Sequence, residues 1–319
     1  MAYQLNKNDQ LLIKSLDLTI DAFLYPNLES ICQPYDGILL DAYGVFWGGN
    51  DIGLLPGCKE VMERLVAKGK IIGILSNSTQ LAKNEIEKLK KYGLALEKHF
   101  HFFITSATVA KQMYSQEQLL PFPTPNKKFY LLGSLHPRFS SHQAIFQDTA
   151  FTETTDLVQA DFIYISIPHI HGKDQTDPSL FKELIQSIKN THLPIVCINP
   201  DHFAHEGSPP KAVVRQGSIA LLLEKEGRKI FYVGKPSKTM YMAAMSSFSE
   251  TGLSDPKKIL MVGDTPETDI RGAKNFGMPS ALIVKSGIMA DRIAQDEKSL
   301  QQLAAKDFPN FFIEYLATP

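Results

Sequence analysis

Short apolar runs that end in polar residues recur along the chain from residue 36 onward. Ile38–Leu40 leads into Asp41, and the apolar run within KIIGILSNST gives way to Ser76-Asn77-Ser78. Runs of this length, bounded by turn residues, predict buried β-strands. The same pattern predicts strands within KKFYLLGS, ADFIYISI, PIVCINPD, IFYVGKP, KILMVGDT and PSALIVKSG.

Segments with apolar residues at helical spacing lie between these runs. In GCKEVMERLVAKG, Val61 and Leu65 share one face and Gly69 ends the segment, which predicts a helix. Helices are predicted in the same way for TQLAKNEIEKLKKYG, SLFKELIQSIKN, the stretch after Ser237, TDIRGAKNFG and, near the N-terminus, LLIKSLDLTIDAFL. Strands that alternate with helices predict an α/β fold with a parallel sheet and right-handed crossovers.

The charge balance argues against two classes of partner. The 319 residues include 33 Lys and Arg against 34 Asp and Glu, so the basic excess that nucleic-acid or acidic-membrane binding needs is missing. KNEIEKLKK is therefore interpreted as a charged, solvated helix face. The sequence has no apolar run of about 18 residues or more, so we expect no membrane-spanning helix.

The cysteines and the N-terminal residues favour a reducing compartment. The three cysteines are widely spaced and form no CxxC motif, which argues against a disulfide framework or a cysteine metal site. MAYQLNKNDQ lacks the basic start and apolar stretch of a secretory signal. We therefore expect a cytoplasmic protein.

Polar residues follow several predicted strands directly, where the ligand crevice of an open α/β sheet lies. Asp41 is a candidate nucleophile or ligand of a hard cation, with a turn-capping aspartate as the alternative. GDTPETDIRGA offers Asp264, Glu267 and Asp269, whose carboxylates suit Mg²⁺. The alternative for these acids is a helix N-terminus whose dipole they complement.

Two further polar groups follow strands. Lys235 can neutralise nearby carboxylates and hold a phosphoryl oxygen, although an ordinary surface lysine in a Gly-Pro turn is the alternative. Ser76, Asn77 and Ser78 offer hydroxyl and amide donors just before a predicted helix, which suits an anion site or, alternatively, a helix cap.

The order of these groups resembles the motif order of the haloacid dehalogenase (HAD) superfamily, a large group of mostly Mg²⁺-dependent phosphohydrolases. LLDAYGV is similar to its first motif, ILSNST to its second, VGKPS to its third and MVGDTPETDI to its fourth. FITSATVA, CINPD and GKPS resemble the class IIA branch, which includes nitrophenylphosphatase-like and sugar-phosphatase-like hydrolases.

The resemblance implies a fold and a domain organisation. It implies a Rossmann-like parallel-sheet core formed by residues 36–107 and 208–319, with an inserted α/β cap domain of the C2A type at residues 108–207. Residues 1–35 are then an N-terminal extension. Relatives of this class often associate through their caps, so we expect a homodimer through the cap.

The resemblance also implies a metal site and a nucleophile. Asp41 attacks phosphorus and forms an aspartyl phosphate, and Asp264 coordinates Mg²⁺. Asp269 positions the metal shell or the lysine of the third motif, and Tyr43 contributes its backbone carbonyl to the metal. The implied substrate is a small phosphorylated metabolite, so the implied activity is that of a phosphoric monoester hydrolase.

The remaining implied residues contact the substrate. Ser76 hydrogen-bonds a phosphoryl oxygen, with Asn77 and Ser78 beside it in the sequence. Lys235 balances the charge of nucleophile and phosphate. Asp201 ends a strand of the predicted cap and faces the substrate, with a turn aspartate as the alternative.

Tyr43 departs from the family pattern. The first motif is usually Asp-x-Asp-Gly, and its second Asp protonates the leaving group, but here that position is Tyr43. A tyrosine with a pKa of about 10 is a weak proton donor at neutral pH, and losing a positioned general acid costs about 10²–10⁴-fold in rate. We therefore expect weak activity on alkyl phosphates and better activity on good leaving groups.

Two alternatives remain open from the sequence. The change to Tyr43 is also compatible with a non-catalytic phosphate-binding or regulatory protein. Asp-Ala-Tyr-Gly resembles the first motif of the haloacid dehalogenases themselves, which attack carbon without a metal. Asp264, Asp269 and the cap-sized stretch after ILSNST argue against a dehalogenase, whose smaller helical cap follows the first motif.

Overall fold

The structure, a computed structural model, describes residues 2–15, 23–139, 141–207 and 211–318. The strands are β1 (Leu24–Tyr25), β2 (Gly37–Leu40), β3 (Ile71–Ser76), β4 (Phe102–Thr105), β5 (Lys128–Leu132), β6 (Thr152–Thr154), β7 (Phe162–Ile165), β8 (Ile195–Cys197), β9 (Phe203–Glu206), β10 (Lys211–Val214), β11 (Ile230–Tyr232), β12 (Ile259–Gly263), β13 (Ser280–Ile283) and β14 (Phe311–Ile313). The α-helices are α1 (Lys7–Ser15), α2 (Cys58–Ala67), α3 (Ala82–Lys91), α4 (Ser106–Ser115), α5 (Ser141–Phe146), α6 (Lys182–Gln186), α7 (Gln216–Lys225), α8 (Lys238–Glu250), α9 (Arg271–Phe276) and α10 (Gly287–Gln295).

The chain divides into two units, of which the first holds the larger sheet. This unit comprises Met1–Ser76, Ile86–Ile104 and Tyr241–Pro319. Its seven strands lie in the order β1-β14-β13-β12-β2-β3-β4. The first six strands of this order, from β1 to β3, are parallel to their neighbours. All residues of β2, β12 and β13 are buried, which explains why these segments are almost entirely apolar.

Part of the N-terminal extension belongs to this first unit. β1 adds to the edge of the sheet beside β14, with Leu24 opposite Phe312. Leu5 and Ile13 pack in a core cluster with Met289 and Phe312. The helix predicted in LLIKSLDLTIDAFL begins earlier, at α1, and residues 16–22 lie outside the described residues. Leu24, the last residue of the predicted helix, belongs to β1 instead, so the prediction is wrong there.

The second unit has its own parallel sheet. It comprises Asn77–Glu85 and Thr105–Met240. Five strands lie in the order β11-β8-β7-β5-β6, all paired in parallel, and β9 and β10 form a separate antiparallel pair. Both units are therefore α/β, as the alternating pattern predicted.

The second unit extends beyond the predicted end of the cap. We placed that end at residue 207, but β11 pairs in parallel with β8, Ile230 lying opposite Ile195. Residues 211–240 therefore belong with this unit, because their strand completes its sheet. The assignment of residues 211–240 to the core, and likewise that of Asn77–Glu85, is corrected accordingly.

Several elements differ from the apolar pattern's prediction. SLFKELIQSIKN forms a 3₁₀ turn at Pro178–Phe181 followed by the short helix α6, rather than one longer helix. The pattern did not predict β1, β14, β9 or β10, each of which is only two to four residues long. None of the helices in the described ranges combines the length and hydrophobicity that crossing a bilayer requires.

We predict that Gly73→Ala destabilises the first unit. A Cβ atom at Gly73 would lie 2.2 Å from the Phe102 ring, which itself packs edge-on against Phe248. Overpacking of this kind costs about 1–3 kcal/mol, measurable by urea unfolding. Phe102→Leu in the Gly73→Ala background should recover part of the loss, since it removes the clashing ring atoms. An unchanged unfolding midpoint for Gly73→Ala would contradict the packing described here.

Candidate active site

Two neighbouring parallel strands bring Asp41 and Asp264 to the same edge of the first unit's sheet. β2 and β12 pair with Leu40 opposite Val262, and the Asp41 N–H donates to the Val262 carbonyl at 2.9 Å. Asp41 follows β2 directly and Asp264 follows β12 directly. The carboxyl ends of both strands therefore present an acid side by side.

Asp269 completes a cluster of three carboxylates. One oxygen from each of Asp41, Asp264 and Asp269 lies within 4.8 Å of the others. Asp264 and Asp269 are buried, at 3% and 0% exposure, and Asp41 is partly buried. Within the described ranges this is the one group of three or more His, Cys, Asp or Glu side chains whose ligand atoms converge in this way.

Local backbone geometry after β12 holds Asp269 in this cluster. The segment Pro266–Ile270 forms a π-helical turn. The Asp269 carboxylate accepts a hydrogen bond from the Thr265 N–H at 3.1 Å, and the Tyr241 hydroxyl donates to the Asp269 carbonyl at 2.9 Å. A Cβ atom at Gly263 would lie 2.2 Å from the Asp269 carboxylate, so glycine is needed at that position.

Asp264 is enclosed by backbone rather than by bulky side chains. Its Oδ2 accepts the Ile288 N–H at 2.7 Å, at the N-terminus of α10, and its Oδ1 accepts the Thr265 hydroxyl at 2.9 Å. A Cβ atom at Gly44 or Gly287 would lie 2.1 or 1.8 Å from Oδ2. Both glycines have positive φ, which residues with a Cβ rarely adopt.

The electrostatics of the cluster disfavour three negative charges. Burial raises the pKa of Asp264 well above its usual range, and the nearby charges of Asp41 and Asp269 raise it further. Carboxylates packed this closely without a cation retain a proton on one of them. A bound divalent cation removes that penalty, and oxygen donors suit Mg²⁺. The donor set therefore fits the metal that the sequence suggested.

Glu267, the third acid of GDTPETDIRGA, does not join this cluster. Its carboxylate accepts a hydrogen bond from Arg292 at 2.8 Å. Burial alone would raise the pKa of Glu267, but the hydrogen bond and charge of Arg292 outweigh burial, and the pKa is lowered. Glu267 therefore has a structural partner of its own.

Tyr43 lies beside a lysine. The Lys88 ammonium of α3 donates to the Tyr43 hydroxyl at 3.3 Å and lies over the Tyr43 ring, 5.3 Å from its centroid. Lys88 comes from KNEIEKLKK, which we interpreted as a solvated helix face, but this side chain is partly buried. The interpretation is wrong for Lys88, because the helix turns that residue toward the loop after β2.

In the second unit, Asn77 connects two other predicted site residues. The Asn77 side-chain amide donates to the Asp201 carboxylate at 2.9 Å, and its oxygen accepts the Lys235 N–H at 2.6 Å. Lys235 is 1% exposed, which contradicts the alternative of an ordinary surface lysine. A Cβ atom at Gly234 would lie 2.6 Å from the Asn77 Oδ1, so this glycine allows the contact.

The two serines that flank Asn77 have different surroundings. Ser76 ends β3 and is buried, at 2% exposure. The Ser78 hydroxyl donates to Glu85 at 2.6 Å and accepts the Gln80 N–H at 3.2 Å. Gln80 lies before α3, which begins at Ala82, so its bond to the Ser78 hydroxyl is that of a local turn and not of a helix cap. The predicted contacts of both serines with a phosphoryl group stay predictions.

Sequence reasoning missed the residues that enclose Asp264 and Tyr43. Gly44, Gly287 and Ile288 contact Asp264 through backbone, which no side-chain motif reveals. A weak indication was available, since the turn residues Ser286-Gly287 follow the apolar run of β13 after Val284 and Lys285. Lys88 carried no comparable hint, because its neighbours are also lysines and glutamates.

Comparisons with known proteins agree with this geometry. A family model described as "Haloacid dehalogenase-like hydrolase" matches residues 38–144, and a second, described as HAD-hydrolase-like, matches residues 232–317. Chronophin from Mus musculus is 27% identical over 297 residues, covering 91% of this chain and 94% of that protein. The 4-nitrophenylphosphatase of Schizosaccharomyces pombe is 25% identical over 327 residues, with the same coverage of 91% and 94%.

A solved structure shares the fold. The haloacid dehalogenase-like hydrolase from Brucella suis 1330 superposes with a TM-score of 0.74 and 23% sequence identity, covering 92% of this chain and 100% of that one. The matched family models span the strand ends that carry Asp41 and Asp264. The chain belongs to the haloacid dehalogenase superfamily, in its class IIA branch.

Proposed function

We propose that this protein is a Mg²⁺-dependent phosphatase, a phosphoric monoester hydrolase that acts on a small phosphorylated metabolite. The observation that supports this most directly is the convergence of Asp41, Asp264 and Asp269 oxygens within 4.8 Å at the carboxyl ends of two parallel strands. The relatives named phosphatases support the same reaction class.

Asp41 is the proposed nucleophile. Its carboxylate forms a bond to phosphorus as the bond to the leaving oxygen breaks, and water then cleaves the aspartyl phosphate. Asp41 is partly buried whereas Asp264 and Asp269 are buried, so Asp41 is the acid of the three that is open to a substrate.

Asp41, Asp264, Asp269 and the backbone carbonyl of Tyr43 would hold Mg²⁺. The ion supplies positive charge that offsets the repulsion between a phosphate dianion and a carboxylate. The chain itself fixes the acids before any ligand arrives, through the Thr265 N–H and the Ile288 N–H. In this proposal Ser76, Asn77 and Ser78 bind phosphoryl oxygens, Lys235 neutralises their charge, and Asp201 contacts the substrate.

Tyr43 limits which leaving groups the proposed phosphatase can release quickly. Its phenol cannot replace a carboxylic acid as proton donor at neutral pH, so the reaction should be slow where the leaving group is an alkoxide. A non-catalytic binding or regulatory protein is the competing proposal, and the first experiment below separates the two. Three carboxylates around one cation are of no use to a metal-independent dehalogenase, which the cluster therefore disfavours.

Two further expectations accompany this proposal. A homodimer through the cap and a cytoplasmic location both stay predictions. Size-exclusion chromatography with light scattering measures the first directly.

We predict that Asp41→Asn abolishes a Mg²⁺-dependent hydrolysis of 4-nitrophenyl phosphate. Loss of the nucleophile should lower kcat/KM by about 10³-fold or more. EDTA should stop the wild-type reaction, and added Mg²⁺ should restore it. Asp36→Asn is the matched control, because Asp36 is exposed at the opposite end of the same strand. Equal rates for Asp41→Asn and wild type would identify a contaminating phosphatase and favour the binding protein.

We predict that Tyr43→Asp raises turnover of an alkyl phosphate such as glycerol 2-phosphate by about 10²-fold. The reason is that a carboxylic acid at this position can protonate the leaving alkoxide. Turnover of 4-nitrophenyl phosphate, whose leaving group needs no proton, should change much less. Tyr43→Asn is the control for side-chain size, and an equal gain in that variant would show that space rather than acidity limits the rate.

We predict that Mg²⁺ stabilises the protein more at about pH 8 than at about pH 5. The pKa of Asp264 is raised in the folded state, so the folded protein binds more protons than the unfolded chain above the ordinary carboxyl pKa. The stability of the metal-free protein therefore falls as the pH rises from the ordinary carboxyl pKa toward the raised pKa of Asp264 in the folded state. Thermal unfolding with and without Mg²⁺ measures this. An equal Mg²⁺ effect at both pH values, or the same pH dependence in Asp264→Asn, would contradict it.

A further inference from the structure

The residues that lead from β13 into α10 are fixed by the neighbouring strand. The Val284 N–H donates to the Ile313 carbonyl at 3.0 Å, and the Lys285 N–H donates to the Glu314 carbonyl at 3.0 Å. The hydrogen bonding between β13 and β14 thus continues past Ile283, where β13 ends. The next residue of the chain, which begins the turn into α10, is therefore attached to a rigid part of the sheet.

Ser286 is the N-cap residue of α10, but its side chain does not cap the helix. A serine at this position usually accepts a hydrogen bond from an N–H group of the first helical turn. The structure describes the whole of that turn, and the Ser286 side chain accepts none of its N–H groups. The Ser286 hydroxyl donates instead to the Gly44 carbonyl at 2.6 Å. The hydroxyl therefore binds the loop after β2 rather than its own helix.

A carboxylate of the acid cluster occupies the position of the missing cap. The N–H of Ile288, the second residue of α10, donates to Asp264 Oδ2 at 2.7 Å. The first N–H groups of a helix lack partners within the helix and favour a negative charge. The start of α10 therefore contacts both strand ends of the candidate site, Asp264 through Ile288 and the loop of Asp41 through Ser286.

Gly44 is held at both of its peptide groups. Its N–H donates to the Trp47 carbonyl at 2.8 Å, and its carbonyl accepts the Ser286 hydroxyl. The peptide group that contains the Gly44 N–H also contains the Tyr43 carbonyl, which is the backbone ligand of the proposed Mg²⁺ site. A peptide group is planar, so the direction of its N–H fixes the direction of its carbonyl. The orientation of the proposed ligand therefore depends on the position of Gly44.

The backbones of the loop and of the helix start are in direct contact. A Cβ atom at Gly44 would lie 2.7 Å from the Gly287 Cα atom, and one at Gly287 would lie 2.8 Å from the Gly44 Cα atom. Further along α10, Arg292 donates to Glu267 at 2.8 Å, within the same π-helical turn as Asp269. The helix is therefore bound to the segment after β12 as well as to the loop after β2.

We propose that Ser286 is a positioning residue for the metal site. Its hydroxyl holds Gly44 against the start of α10, so that the Asp41 carboxylate and the Tyr43 carbonyl keep the separation from Asp264 that one cation requires. This inference rests on the proposed function, because it names a residue that organises the Mg²⁺ site without being one of its ligands. A hydroxyl that served folding alone would affect stability and leave the affinity for a cation unchanged.

Cation binding tests this role without turnover. Mn²⁺ is titrated into wild type, Ser286→Ala and Ser286→Thr, and the free ion is measured by electron paramagnetic resonance. Ser286→Ala should weaken Mn²⁺ binding by about 10-fold or more, as expected when a group that orients a metal ligand is removed. Ser286→Thr retains the hydroxyl and should stay within about 3-fold of wild type.

The matched control is Ser299→Ala. The Ser299 hydroxyl donates to the Arg292 carbonyl at 2.8 Å, so this substitution also removes a serine hydrogen bond from α10, at the far end of the helix. It should affect stability and leave the affinity for Mn²⁺ as in wild type. Wild-type affinity in Ser286→Ala, or an equal loss in Ser299→Ala and Ser286→Ala, would overturn the inference.

Hydrogen exchange of the metal-free protein is a second, independent readout. The N–H groups of Gly44, Phe46 and Trp47 form hydrogen bonds within the loop after β2. In Ser286→Ala these amides should exchange about 10-fold faster or more, because the loop has lost its attachment to α10. In Ser286→Thr and Ser299→Ala they should exchange as in wild type. Unchanged exchange in Ser286→Ala would contradict the inference.

The inference and the proposed function can fail separately. If Asp264→Asn loses Mn²⁺ and Ser286→Ala retains it, the metal site stands and the role of Ser286 is overturned. If wild type binds no Mn²⁺ and shows no Mg²⁺-dependent turnover, the proposed function is rejected and the role of Ser286 toward the metal is rejected with it.

Discussion

Repulsion between three closely packed carboxylates is the constraint on which the site depends. Asp41, Asp264 and Asp269 bring one oxygen each within 4.8 Å, and two of these side chains are buried. Such an arrangement costs stability unless a proton or a cation offsets the charge. Burial is the largest cause of the raised pKa of Asp264, and the charges of Asp41 and Asp269 raise it further. A bound cation removes this unfavourable electrostatic energy, so the geometry of the three acids favours cation binding.

The surrounding chain is built to hold the acids in place. The parallel pairing of β2 and β12 fixes Asp41 beside the start of the segment that carries the other two. Gly263 leaves room for the Asp269 carboxylate, and Gly44 leaves room for that of Asp264, where any Cβ atom would clash. Backbone N–H groups then complete the hydrogen bonds of the acids. Preorganisation of this kind supports catalysis because the protein does not need to rearrange when charge develops.

Much of the fold and of the acid cluster could be predicted from the sequence, because both depend on strand ends. Unbroken apolar runs mark buried parallel strands, and acids directly after them mark the ligand edge. The end of the second unit along the chain was harder to predict. The pairing of Ile230 with Ile195, which places that end, is a long-range contact that the local pattern of apolar residues does not encode. The contact of Lys88 with Tyr43 was equally hidden, because a partly buried lysine in a charged helix has the same sequence pattern as a solvated one.

The central claim is that the three acids share one divalent cation. Mn²⁺, a spectroscopic substitute for Mg²⁺, can be titrated into the protein and followed by electron paramagnetic resonance, which distinguishes free from bound ion. The account predicts one bound Mn²⁺ per chain, competed by Mg²⁺ and strongly weakened in both Asp264→Asn and Asp269→Asn. Undiminished Mn²⁺ binding in those two variants would contradict the account.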